Sequence, residues 1–119
     1  MLYFLYGQED FNIEQELRTL KSKVVDKAFL STNYRVYDNP DFQQLEDILR
    51  TPSLMFGNVL CVVNCDRYFF DGKGKINFDD KELKVIEDLF QSMPESLYVV
   101  FVCKIERKHK KNRYMKKAL

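Results

Sequence analysis

Hydrophobic positions along this chain alternate between two patterns. Leu2-Tyr3-Phe4-Leu5-Tyr6 is a short apolar and aromatic run that stops at Gly7, the pattern of a buried strand. From Asp10 onward Ile13, Leu17, Leu20 and Val24 recur at helical spacing with charges between them. That spacing predicts an amphipathic helix ending near Lys27, capped either by Asp10 or by Asn12 with Gln15 three residues on. Tyr34-Arg35-Val36-Tyr37 alternates and predicts a second strand. Asn39-Pro40 predicts a helix start with proline at the first helical position, followed by the stripe Phe42, Leu45, Ile48 and Leu49 and a stop at Thr51-Pro52. Ser53-Leu54-Met55-Phe56-Gly57 reads as an apolar loop closing on glycine.

Val59-Leu60-Cys61-Val62-Val63 is continuous and rich in β-branched residues, as in a strand covered on both faces. Residues 66–78 are irregular, with turns at Gly72 and Gly74. Asp79 and Glu82 form a capping-box pattern ahead of the stripe Leu83, Ile86, Leu89 and Phe90, and Met93-Pro94 closes that helix. Leu97-Tyr98-Val99-Val100-Phe101-Val102 is another fully apolar strand, and residues 112–119 read as helical. Strand and helix alternate throughout, which predicts a parallel sheet with helices on both faces. No glycine or proline stops the last helical stretch, so the expectation is the N-terminal domain (residues 1–119) of a longer protein.

Composition changes this picture little. The 119 residues are 45% hydrophobic and 31% charged, ordinary for a soluble globular domain. No apolar run is long enough to span a bilayer, and the opening run lacks the basic flank of a signal peptide, so the expected location is cytoplasmic with no membrane partner. The net charge of +1 averages over a mixed first helix, an acidic middle and a basic end. In that end, Lys104, Arg107, Lys108, Lys110, Lys111, Arg113, Lys116 and Lys117 crowd together. Two readings stand: contact with DNA phosphates, which would make binding salt-dependent, or a solvated helix face. Tyr114 is the only aromatic in the run, so base stacking is poorly supported.

The turn after the first strand is where a doubly wound sheet places its ligand. A phosphate loop there needs glycines, a lysine and a hydroxyl. The turn reads Gly7-Gln8-Glu9-Asp10-Phe11-Asn12, with one glycine, no lysine and two carboxylates. Such carboxylates suit a helix N-terminus and repel a triphosphate. The third strand ends in Asn64-Cys65-Asp66 rather than in an acidic pair that would hold a metal. Phosphate chemistry lacks its groups at two separate places, so no ATPase activity and no cofactor are expected. Gly72-Lys73-Gly74-Lys75 falls outside any strand-to-helix turn and reads as a surface turn. Cys61 and Cys65 are four apart and His109 is remote, so neither a zinc site nor a catalytic triad is indicated. The cysteines lie in apolar runs and read as small hydrophobes.

Taken together, three motifs resemble the start of the delta subunit of the bacterial DNA polymerase III clamp loader. The first is Leu2 to Gly7 followed by Gln8-Glu9-Asp10-Phe11 and a helix. The second is Leu49-Arg50-Thr51-Pro52-Ser53-Leu54-Met55-Phe56-Gly57 leading into an apolar strand. The third is the basic segment after the last strand. The resemblance implies a degenerate AAA+, P-loop NTPase-like fold that does not hydrolyse ATP. It implies a subunit of the DNA polymerase III holoenzyme that binds and opens the sliding clamp (the beta subunit). It also implies assembly with the gamma/tau and delta prime subunits, and contact with DNA through the assembled complex. An apolar pair at the tip after the second helix inserts into the clamp in that family, which maps onto Met55 and Phe56 with Leu54 beside them. Met55 departs from the leucine or phenylalanine usual there, and Thr51 from the glutamine of some members. The competing reading packs Leu54, Met55 and Phe56 into the domain's own core. Two other functions stay open from the residues: a divergent nucleotide-binding ATPase using Gly7 to Asn12, and a nucleic-acid-binding domain using Arg107, Lys108, Lys110, Lys111 and Arg113.

Overall fold

In the computed structural model, residues 1–7, 10–51, 57–68 and 76–104 are described. Strand β1 spans Leu2–Gly7, helix α1 Asp10–Val24, the short helix α2 Leu30–Asn33, and β2 Tyr34–Asp38. Helix α3 is Phe42–Leu49, β3 Val59–Asn64, α4 Asp80–Gln91 and β4 Leu97–Lys104. Short 3-10 turns occupy Lys27–Phe29 and Asp66–Tyr68. The four strands form one parallel sheet in the order β1-β4-β3-β2.

The sheet has a helical layer on each face, as the alternation of elements predicts. Val59, Cys61 and Val63 of β3 and Leu97, Val99, Phe101 and Cys103 of β4 point to one side, where Leu45, Ile48 and Leu49 of α3 and Ile86 and Leu89 of α4 cover them. Leu60, Val62, Val100 and Val102 point to the other, beneath Ile13 and Val25, with Leu17, Leu20 and Val24 of α1 packed alongside. The first five residues of β3 are all buried, which is why that strand reads as an unbroken apolar run. The edge strands are different: Leu2 and Tyr6 on β1 and Val36 on β2 remain exposed.

The local chemistry accounts for most element boundaries. The Asp79 side chain accepts from Glu82 N at 2.8 Å and Glu82 Oε1 accepts from Asp79 N at 3.0 Å, closing the expected capping box of α4. That helix ends at Gln91, with Ser92 as its C-cap, just before Met93-Pro94. At α3 the cap differs from expectation. Asp41, not Asn39, accepts from Gln44 N at 2.9 Å, and Gln44 Oε1 accepts from Asp41 N at 3.0 Å. Pro40 therefore precedes the cap instead of opening the helix. Asn39 is otherwise engaged, with φ at 46° in a turn.

Helix α1 ends at Val24, short of Lys27, because Asp26 leaves helical geometry and accepts from Ala28 N at 3.0 Å. The turn and α2 that follow were not legible as separate elements. Asp10 is the first residue of α1 and Asn12 lies inside it, so neither stands at the cap position ahead of the helix. Strands β3 and β4 run one and two residues longer than their apolar runs, ending at Asn64 and Lys104. The helix expected over 112–119 and the glycines at 72 and 74 lie outside the described residues.

Candidate functional site

The carboxyl edge of a parallel sheet is where a doubly wound fold presents ligand chemistry. Here Gly7 ends β1 and pairs with Lys104, Asp38 ends β2 opposite Asn64, and Asn64 in turn faces Val102. Gln8 and Glu9 of the phosphate-loop position lie outside the described residues, and Asp10 enters as the first helical residue of α1.

Two carboxylates of this edge, Asp38 and Asp66, are each held by an asparagine side-chain amide. Asn64 Nδ2 donates to Asp38 Oδ1 at 2.6 Å, and Asn39 Nδ2 donates to Asp66 Oδ1 at 3.0 Å. Asn39 Oδ1 accepts from Arg67 N at 2.9 Å, and the Asn39 backbone N donates to Asn64 O at 2.6 Å. Asp66, singled out from sequence, thus begins a 3-10 turn and is tied to the loop after β2. Below it the Tyr68 hydroxyl donates to Pro40 O at 2.6 Å. Burial is the main cause that pushes this phenol well above its usual range. The two loops brace each other, a structural use of polar groups at an edge where a nucleotide enzyme would keep them free for phosphate and metal. Sequence reasoning missed this lattice. Its signal was that both strands end in paired Asn and Asp residues, at Asp38-Asn39 and at Asn64-Cys65-Asp66.

The second candidate region lies at the opposite edge. Helix α3 returns antiparallel to the strands, so its C-terminus and the start of β3 sit at the amino edge of the sheet. The six residues of β3 separate the two edges by roughly 17 Å. Residues 52–56, which include Leu54, Met55 and Phe56, lie outside the described residues, but both flanks are fixed. Thr51 is buried, and its hydroxyl donates to Ile48 O at 2.6 Å. On the far side Gly57 has φ at 73°, a conformation glycine adopts at little cost. Asn58 is clasped from both sides: its Nδ2 donates to Val24 O at 3.3 Å, and its carbonyl accepts from Asn33 Nδ2 at 3.2 Å. Asn33 is itself buried, so α2 serves as the clamp on this flank.

Arg107, Lys108, Lys110, Lys111 and Arg113 also fall outside the described residues. Among the described residues no group of three or more His, Cys, Asp or Glu side chains could hold a metal ion, and no helix is long and apolar enough to cross a membrane. Cys61, Cys65 and Cys103 are all buried free thiols, as their apolar surroundings lead one to expect. Burial raises Cys61 to about 11.

The described residues define a parallel α/β fold with a helical layer on each face, in which Asp38, Asn39, Asn64 and Asp66 at the carboxyl edge are tied to one another. The sequence profile of the family described as DNA polymerase III, delta subunit, matches residues 3–119. The chain belongs to that family. Among solved structures it is similar to the Bacillus subtilis DNA clamp loader delta protein (YqeN), at 23% identity with a TM-score of 0.75. That match covers 99% of this chain and 35% of the other, so the chain spans about a third of that relative's length. No curated protein sequence matches it significantly.

Proposed function

We propose that this chain is the N-terminal, AAA+-like module of a delta-type clamp-loader subunit, and that it grips the sliding clamp through Leu54, Met55 and Phe56 without hydrolysing ATP. The observation that carries this reading is the family match across residues 3–119. Two features of the geometry support the placement of the tip. Thr51 and Gly57-Asn58 fix both flanks of residues 52–56, so less freedom is lost when the segment docks. Thr51 and Gly57, the flanks of the tip, also lie at the amino edge, away from the carboxyl edge and its phosphate-loop position. The non-catalytic reading is supported by the absence of a loop lysine and by the bracing of Asp38 and Asp66. In the cell the module would work in the cytoplasm beside gamma/tau and delta prime subunits. It would meet DNA through the assembled complex, with Arg107, Lys108, Lys110, Lys111 and Arg113 facing DNA phosphates or a neighbouring subunit.

The test is a double substitution, Met55→Ala with Phe56→Ala. Each apolar anchor is worth on the order of 2 kcal/mol or more at an interface. Surface plasmon resonance against the sliding clamp should therefore show about a 30-fold loss for either single substitution and several hundred-fold for the pair, with the circular dichroism spectrum unchanged. Binding equal to that of the parent would remove the site assignment. Saturable micromolar binding of ATP with magnesium in a calorimetric titration would overturn the non-catalytic part.

A further inference from the structure

We propose that Cys65 and Cys103 form a reversible dithiol–disulfide pair, an oxidation site that ties the end of β3 to the end of β4. This inference is independent of any clamp contact. In the register of the two strands Asn64 faces Val102, and the Cys65 amide carries the ladder one step further by donating to Val102 O at 2.9 Å. Cys65 therefore lies directly beside Cys103. Adjacent strands are about 4.8 Å apart, inside the roughly 4.4–6.8 Å span of Cα atoms that a disulfide bridges. Both side chains point into the same core, under α3 and α4, so their Cβ vectors run side by side instead of diverging.

The sulfurs are already partnered. The Cys65 thiol donates to Val102 O at 3.6 Å, beside the Cys103 thiol. Interaction between the two thiols raises Cys65 and lowers Cys103, which makes Cys103 the thiol that more readily ionises. Cys61 provides an internal contrast. It shares the face and the burial, but its neighbour across the ladder is Val99, so it has no thiol to meet there. The pair also sits at the last rungs of its strands, where local opening costs least. Both thiols are almost fully buried, at 0% and 2% exposure, so an oxidant reaches them through such opening.

With hydrogen peroxide as the oxidant the chemistry balances in two steps. The Cys103 thiolate attacks one peroxide oxygen and the O–O bond breaks. This gives a sulfenic acid on Cys103 and a hydroxide that takes up the proton Cys103 had released. The Cys65 sulfur then attacks the sulfenic sulfur, the S–S bond forms, and water leaves with the Cys65 proton. The pair is oxidised by two electrons and the peroxide is reduced to two waters. A dithiol reagent such as dithiothreitol reverses it by exchange.

The test is to expose the folded chain to hydrogen peroxide, unfold it in an alkylating reagent, and map the peptides by mass spectrometry without reduction. The expected result is a Cys65 peptide linked to a Cys103 peptide, with Cys61 alkylated, and loss of the link after dithiothreitol. In the Cys65→Ser variant, which leaves the Cys103 sulfenic acid without the thiol that would resolve it, a trap such as dimedone should label Cys103 after peroxide, and absence of that label would overturn the proposal. Three alkylated thiols under conditions that oxidise the same chain in urea would overturn the proposal. So would a link through Cys61, or links found solely between two chains.

Discussion

Asn39 is the residue on which the carboxyl edge turns, and its removal gives a measurable test of that architecture. Its backbone sits at φ 46°, and its side chain makes two bonds, to Asp66 Oδ1 at 3.0 Å and from Arg67 N at 2.9 Å. Each such bond contributes a net of about 0.5–1.5 kcal/mol. Both are solvent-accessible, so water partly replaces them and the sum falls near the lower end. Asn39→Gly keeps the left-handed backbone, loses both bonds and adds freedom to the unfolded chain. It should cost about 2 kcal/mol. Asn39→Ala loses the same bonds and keeps a Cβ in the left-handed region, roughly 1–2 kcal/mol worse than glycine there, without the polar side chain that lets asparagine tolerate it, partly offset by its smaller loss of chain entropy. Alanine should therefore be less stable than glycine by about 0.5–1 kcal/mol. Urea unfolding followed by circular dichroism resolves this, with equal m-values confirming that the compactness of both states is unchanged. If alanine equals or exceeds glycine, the backbone term is refuted. If both variants stay within about 0.5 kcal/mol of the parent, the bracing between the two loops carries no stability.

Other consequences follow from the same structure. Leu45 is 2% exposed between α3 and the sheet, so Leu45→Ala should cost about 2–5 kcal/mol in urea unfolding; a cost below 1 kcal/mol would mean that α3 is not packed as described. Asp79→Ala removes the side-chain acceptor of the α4 capping box and should cost about 1 kcal/mol, and Asp79→Asn should recover much of it. Alkaline titration should erode stability from pH 9 upward. Cys61 is raised from 9.0 to about 11 by burial, and burial also raises Tyr68 from 10.0. These groups ionise first in the unfolded chain, so the stability they lend is complete below the unfolded values and is lost as pH climbs through the folded ones. Cys61→Val should flatten the part of that decline between pH 9 and 11; an unchanged slope would count against burial as its cause.

What the amino-acid order determined by itself is local or periodic. The strands β3 and β4 announce themselves because a strand covered on both faces must be apolar at every position, and the Asp79/Glu82 box starts α4 with groups three residues apart. The lack of a lysine after Gly7 likewise argues against a phosphate loop without reference to any fold. The family resemblance rested on such short runs and proved correct. The strand order β1-β4-β3-β2 is a different kind of fact, since nothing in the run Leu2 to Tyr6 says that its partner lies 97 residues away in β4. The same holds for polar groups whose partners are brought together by register. Asn39 looked like a helix cap because Asn-Pro is a good local start; in the folded chain its side chain is committed to Asp66 and Arg67, and Asp41 takes the cap. Asn58 and Asn33, 25 residues apart, make the clasp beside the proposed tip, and Cys65 meets Cys103 across 38 positions of sequence for the same reason. Hydrophobic periodicity encodes which face of an element is buried, whereas contacts across a parallel sheet depend on which strands lie side by side and in what register. That pairing exists only once the crossovers have closed.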